Sequence, residues 1–163
     1  MSIPQASVAA TIAYTAQSVS NTGGTAKEVF TDSVAADLTA NATKAFSYLA
    51  DGGTHNANLA AGTSTTFTLS ALTGALGSVA FAKVLAFVFI NKSSTDALAI
   101  GGAATHPWAP LASAISIPPG GAYILLVPGS TGVAVTAGSS DQVKVDATGA
   151  GAAVPFSLSV IGA

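Results

Sequence analysis

Val84-Leu85-Ala86-Phe87-Val88-Phe89-Ile90-Asn91 is the stretch whose reading decides the fold. Side chains alternate between the two faces of a strand, so Val84, Ala86, Val88 and Ile90 point one way and Leu85, Phe87 and Phe89 the other. Both sets are apolar, which predicts a central strand buried on both sides. A short apolar run also suits a buried helix segment. The β-branched and aromatic content, the short length and the polar connection Asn91-Lys92-Ser93-Ser94-Thr95-Asp96 behind it favour the strand. On this reading a charge in the run, as in Val88→Asp, prevents folding, because an unpaired buried carboxylate costs several kcal/mol or more.

Downstream of this run, Ala97-Leu98-Ala99-Ile100 reads as a short strand stopped by Gly101-Gly102, and further strands are expected near 114–117, 122–127, 133–136, 142–145 and 154–161. Between the first two of these, Pro118-Pro119-Gly120-Gly121 suits a type II turn, with the fixed φ of Pro119 and the permissive Gly120 at its centre. Upstream, Thr65-Thr66-Phe67-Thr68-Leu69 alternates, with Phe67 and Leu69 inward and Thr66 and Thr68 outward. Ser7 to Val19 also alternates: Val8, Ile12 and Tyr14 share one parity and Thr11, Thr15 and Gln17 the other, up to the breaker Ser20-Asn21-Thr22-Gly23-Gly24.

One segment is ambiguous. Val34, Leu38, Ala42, Ala45 and Leu49 form a helical stripe with Ser33 placed as an N-cap, whereas Thr39, Asn41 and Thr43 are poor helix formers and leave a strand over 44–50 as the competing reading. Short strands at close spacing, separated by Gly, Pro and Ser, predict an all-β chain: an antiparallel, jelly-roll-like β-sandwich with at most one short helix. The expected organisation is an N-terminal arm over 1–24, lying along a neighbour, and a single sandwich domain over 25–163.

Composition narrows the role. The chain has 163 residues, enough to bury roughly two-thirds of its unfolded surface. Half of it is hydrophobic and only 7% is charged, well below the ~25% usual for soluble domains. There is no Arg, and the net charge of −2 comes with no cluster of Lys, which argues against nucleic-acid binding. A surface so poor in charge has little repulsion between copies and favours assembly. The absence of Cys excludes disulfides and thiolate metal sites. The N-terminus Met-Ser-Ile-Pro-Gln-Ala-Ser-Val lacks the pattern of a secretory signal. The uncharged stretch 97–140 with its Gly and Pro interruptions is not expected to be a membrane helix.

No arrangement of reactive residues stands out. His55 and His106 are far apart in sequence and outside any HExxH motif, no Gly-x-Ser-x-Gly elbow occurs, and the few acids do not pair. Asp141 and Asp146 flank a strand without the Asp-rich loop that a calcium site needs. Gly101-Gly102 and Gly120-Gly121 read as turns, since neither opens a helix. Asn41-Ala42-Thr43 and Asn91-Lys92-Ser93 match the glycosylation sequon by chance. The expectation is therefore a non-enzyme with no catalytic residues, no cofactor and no metal. Trp108, between Pro107 and Pro110, has two readings: a contact residue on a loop, at an interface or a sugar-binding platform, or a lid on the core. Tyr14 on the N-terminal strand is the second candidate interface residue.

Phe81 to Ser94, then Leu98-Ala99-Ile100-Gly101-Gly102, Ile117-Pro118-Pro119-Gly120-Gly121 and the closing Phe156-Ser157-Leu158-Ser159-Val160-Ile161-Gly162 resemble, in order and spacing, a pattern found in small virion proteins of tailed phages. The resemblance covers about residues 59 to 162 and brings no catalytic residues with it. It implies a jelly-roll-like structural protein of the virion, foremost a capsid decoration or cementing protein assembled in the host cytoplasm. The expected partners are further copies of itself, a trimer among the candidate forms, and the major capsid protein or another virion protein, with no nucleic acid and no membrane. The alternative is a carbohydrate-binding β-sandwich of a tail or adhesin that uses Trp108.

Overall fold

The alternation read from Ser7 to Val19 is realised to the residue. In the computed structural model, which describes residues 7–19, 25–37, 41–53, 56–74, 77–103, 105–127 and 129–163, strand β1 spans Ser7–Val19 and pairs antiparallel with β2, Thr25–Asp37. The register sets Tyr14 opposite Phe30 and Val8 opposite Ala36. This ribbon shares no ladder with the other sheets, so 25–37 joins the arm's strand and not a sandwich sheet.

Two sheets form the sandwich. The first holds β3 (Lys44–Ala50), β7 (Lys83–Asn91), β10 (Ala122–Leu126) and β13 (Phe156–Gly162) in the order β10-β7-β13-β3, with β11 (Val133–Ala134) also on β7. The second holds β4 (Ser64–Thr68), β8 (Leu98–Ile100), β9 (Ile115–Ile117) and β12 (Gln142–Asp146) in the order β4-β12-β8-β9. A small hairpin of β5 (Leu72–Gly74) and β6 (Gly77–Val79) stands apart from both ladders. In chain order, β3, β4, β7, β8, β9, β10, β12 and β13 pair first with last, second with seventh, third with sixth and fourth with fifth, all antiparallel. That nesting is the jelly-roll connectivity.

The described residues of 33–49 form no helix. Val34 lies in β2, and from Lys44 the chain is a strand, the competing reading of that segment. The helical stripe fails because it leaves out Phe46 and Tyr48, the largest apolar groups there, which face the core at strand spacing together with Ala50. The described residues contain one helical element, a 3₁₀ turn at Ala109–Leu111, and no helix long and apolar enough to cross a membrane.

The core lies between the sheets. Phe87, Phe89, Phe156, Leu158 and Val160 from one side meet Phe67, Leu98, Ile100, Val143 and Val145 from the other. Phe89 stacks on Phe156 at 5.5 Å between ring centroids, Phe156 on Tyr48 at 5.5 Å, and Phe67 meets Tyr48 edge-on at 5.0 Å.

Strand β7 is central as expected but not buried on both sides. Phe87 and Phe89 are fully buried, whereas Ile90 on the opposite face is 37% exposed and Val88 is half-buried. The strict alternation also breaks. Ile161 pairs with Ala86 and Gly162 with Val84, which leaves Leu85 as the extra residue of a β-bulge. Val84 thereby joins Phe87 and Phe89 in the main core, and Leu85 joins Ala86 in a second cluster with Ala42. Val88 lies on the outer face and is half-buried, so the full burial that would make a charge there prevent folding is not met.

The bulge needs a glycine opposite it. A Cβ on Gly162 would lie 2.1 Å from the carbonyl oxygen of Lys83, a backbone atom that cannot swing aside. Gly162→Ala should therefore lower stability by about 1–3 kcal/mol, measured by urea denaturation. An unchanged midpoint would show that the ladder slides freely at the bulge.

Candidate functional site

Trp108 is the expected contact residue whose place is clearest. It has no exposed surface, its Nε1 donates to Ala134 O at 3.0 Å, and its ring packs 5.5 Å from that of Phe87. The lid reading holds in the folded chain, and Trp108 offers neither an interface anchor nor a sugar-stacking platform on its surface. Tyr14 is placed by backbone register alone, opposite Phe30 on the ribbon. His55 lies outside the described residues.

His106 is exposed, and its carbonyl accepts from the backbone N–H groups of Asp141 and Gln142. Asp141 and Asp146 do not converge. Asp141 is buried, with Oδ2 accepting from Ser70 Oγ at 2.6 Å and from Gly138 N at 3.1 Å, which ties the start of β12 to the chain leaving β4. Asp146 sits on the outer face of the second sheet, 2.7 Å from Lys144 Nζ, and accepts from Thr148 N at 2.8 Å. Its carboxyl is held at about 2, below the ordinary 3.8, first by the hydrogen bond from Lys144 and then by those from Thr148. Among the described residues no three His, Asp or Glu side chains come together.

Asn91 has a role that its place at a strand end did not reveal. It is fully buried, and its Nδ2 donates to Asp96 O (2.8 Å), Ile117 O (3.1 Å) and Pro118 O (3.1 Å) while Oδ1 accepts from Ser93 N (3.0 Å). One carboxamide thus fastens the end of β7 in the first sheet to the chain entering β8 and leaving β9 in the second. It is not available as a glycosylation acceptor in the folded chain. Beside it the Pro118–Gly121 turn forms as expected, with Gly121 N donating to Pro118 O at 2.9 Å and φ of +68° at Gly120.

The surfaces remain, and the two outer faces of the sandwich differ sharply. On the second sheet the register aligns Gln142 with Thr68, Lys144 with Thr66, and Asp146 with Ser64 and Ala99. That face is polar and carries an ion pair, as expected of an antiparallel sheet facing water. On the first sheet the register gives cross-strand rows of Leu49, Ser157, Ile90 and Ala122, of Ser47, Ser159, Val88 and Ile124, and of Ala45, Ile161, Ala86 and Leu126. No position in these rows is charged. The last row is partly covered by Ala42, whereas the others are open, with Ile90 at 37% and Ile124 at 42% exposure. The charged Lys44 and Lys83 of the same sheet turn to the rim, each donating to a backbone carbonyl, Ala80 O and Ser130 O respectively. This face, rather than any reactive group, is the candidate functional site.

No protein-family model, no curated protein and no solved structure matches the chain.

Two outcomes follow from these contacts. Asn91→Ala removes the donor to Asp96 O, Ile117 O and Pro118 O and the acceptor of the Ser93 N–H, and should cost about 2–3 kcal/mol. Asn91→Asp should cost more at neutral pH, because a carboxylate would then face carbonyl oxygens. Equilibrium denaturation of both variants checks this order. For Asp146, a folded-state pKa below the unfolded value means stability present above pH ~4 and lost as pH falls toward 2. Asp146→Asn should then be less stable than the parent at pH 7 by up to about 1 kcal/mol, with the gap closing between pH 4 and 2 in denaturation curves taken across that range.

Proposed function

We propose that the chain is a structural protein of a virus particle: a jelly-roll subunit that associates with copies of itself and seats on a capsid lattice as a decoration or cementing protein. The uncharged outer face of the first sheet carries this reading. A solvated antiparallel sheet presents polar side chains outward, as the second sheet does, and a face that keeps Val88, Ile90, Ile124 and Leu126 instead is suited to being covered. The low charge of the whole chain agrees, because a surface of Ser, Thr, Ala and Gly packs against like surface without stranding charges. The jelly-roll connectivity is shared by viral capsid domains and by others, so it supports the reading without deciding it. The resemblance of residues 59–162 to small phage virion proteins points the same way, and the N-terminal ribbon is the natural second contact. The role requires no reaction and no cofactor.

The test is co-sedimentation of purified protein with native particles from its source that lack it, alongside the solution mass of the free protein. The parent should bind particles and exceed its 15.7 kDa monomer mass. Val88→Lys should keep the β-sheet circular dichroism spectrum and lose binding or self-association by about tenfold or more, since a lysine would be desolvated there without a partner. A folded Val88→Lys that binds and associates like the parent would contradict the role given to this face.

A further inference from the structure

The sandwich has four sheet edges, ended by β10, β3, β4 and β9, and proteins protect such edges with charges, prolines, bulges, short strands or covering loops. Two of the four, β3 and β9, carry such protection. At β3, Lys44 stands at one end, and at the other Asn56 Nδ2 donates to Leu49 O while Asn56 O accepts from Asp51 N. β9 is three residues long and runs directly into Pro118-Pro119. β4, Ser-Thr-Thr-Phe-Thr, has neither charge nor proline, but its outer-face side chains Ser64, Thr66 and Thr68 are polar.

β10 has none of these. Its sequence is Ala122-Tyr123-Ile124-Leu125-Leu126, without charge, proline or bulge. Its flanking bonds define which groups are free. Asn91 N donates to Gly121 O and Val127 N to Leu85 O, so in the antiparallel ladder 121, 123, 125 and 127 turn their N–H and C=O toward β7. Ala122, Ile124 and Leu126 therefore direct theirs away from the sheet, and no hydrogen bond among the described residues engages them. The same residues place their side chains on the uncharged outer face, with Ile124 the most exposed large apolar side chain among those described.

We propose that β10 pairs edge to edge with β10 of a second copy of this chain, antiparallel about a two-fold axis through Ile124. Ile124 then faces Ile124 of the second copy and Ala122 faces its Leu126, and every outward group meets its complement in about six backbone hydrogen bonds. The occupant is a copy of this chain and not a charged partner, because an uncharged edge that merges into an uncharged face is complementary to itself and offers no counter-charge to anything else. The pairing makes the two first sheets one continuous sheet and joins their outer faces into one apolar surface, each contributing on the order of 400 Å² by strand spacing. This inference rests on the self-association proposed above and assigns it a place. An edge contact alone buries less than a standard interface, so association of the free protein rises with concentration.

The chain has no cysteine, so one introduced cysteine is a clean reporter. Ile124→Cys brings two Cα atoms to about 5.5 Å across the axis, within disulfide range, and should yield a covalent dimer under mild oxidation, whereas Ser47→Cys on the far strand of the same face should not. Ile124→Pro removes the outward N–H without touching the ladder to β7 and should leave a folded monomer where the parent associates. Sedimentation equilibrium read with the cross-linking separates the outcomes. A parent that stays at monomer mass up to its solubility limit overturns both this pairing and the self-association reading. An associating parent whose Ile124→Cys variant gives no covalent dimer, or whose folded Ile124→Pro variant associates equally well, overturns the β10 edge and leaves self-association standing. If Ile124→Pro does not fold, the cysteine pair decides alone.

Discussion

The arrangement depends on how β7 is held. It is paired along both edges, to β13 on one side and to β10 and β11 on the other, and packed in the core through one face. The β-bulge opposite Gly162 rotates Val84 into that core and Leu85 into the second buried cluster with Ala42 and Ala86. The Asn91 carboxamide then fixes the other end of the strand to the second sheet. A strand packed in the core through one face presents the other on the outside of the sheet, and that outer face gives the surface its character.

Much of the fold was legible because strands announce themselves by a period of two. Ser7–Val19 follows its alternation exactly in extent, Phe67 and Leu69 are buried as read, and the Pro119-Gly120 pair makes the turn its conformational preferences demand. The segment 33–49 stays ambiguous in sequence because residues at four-residue spacing also satisfy a strand, where even spacings share a face, and the signal that decides 44–50 is Phe46 and Tyr48 two apart. The bulge in β7 was not legible, since it depends on a partner strand about seventy residues away and on a glycine there.

The candidate surface was half legible. Apolarity on both faces of 84–91 was visible, but a sequence cannot say whether the second face is covered by the chain's own fold, and it was read as core. Only with the register known do Val88 and Ile90 line up with Ser157, Ser159 and Ile124 as a charge-free surface. Trp108 shows the converse. A tryptophan between prolines suits either a contact on a loop or a lid on the core, and the loop folds it inward as the lid, against Phe87, where its N–H finds Ala134 O.

A jelly roll with one polar and one uncharged outer face, and with the uncharged edge strand β10 where the uncharged face ends, suits the lateral joining proposed above. Amide hydrogen exchange of the parent chain, followed from dilute to concentrated solution, tests this most directly. The account predicts that the N–H groups of Ala122, Ile124 and Leu126 exchange rapidly in dilute solution and become protected as copies associate, while those of Tyr123 and Leu125 are protected throughout. Rapid exchange at Ala122, Ile124 and Leu126 in the associated protein would contradict it.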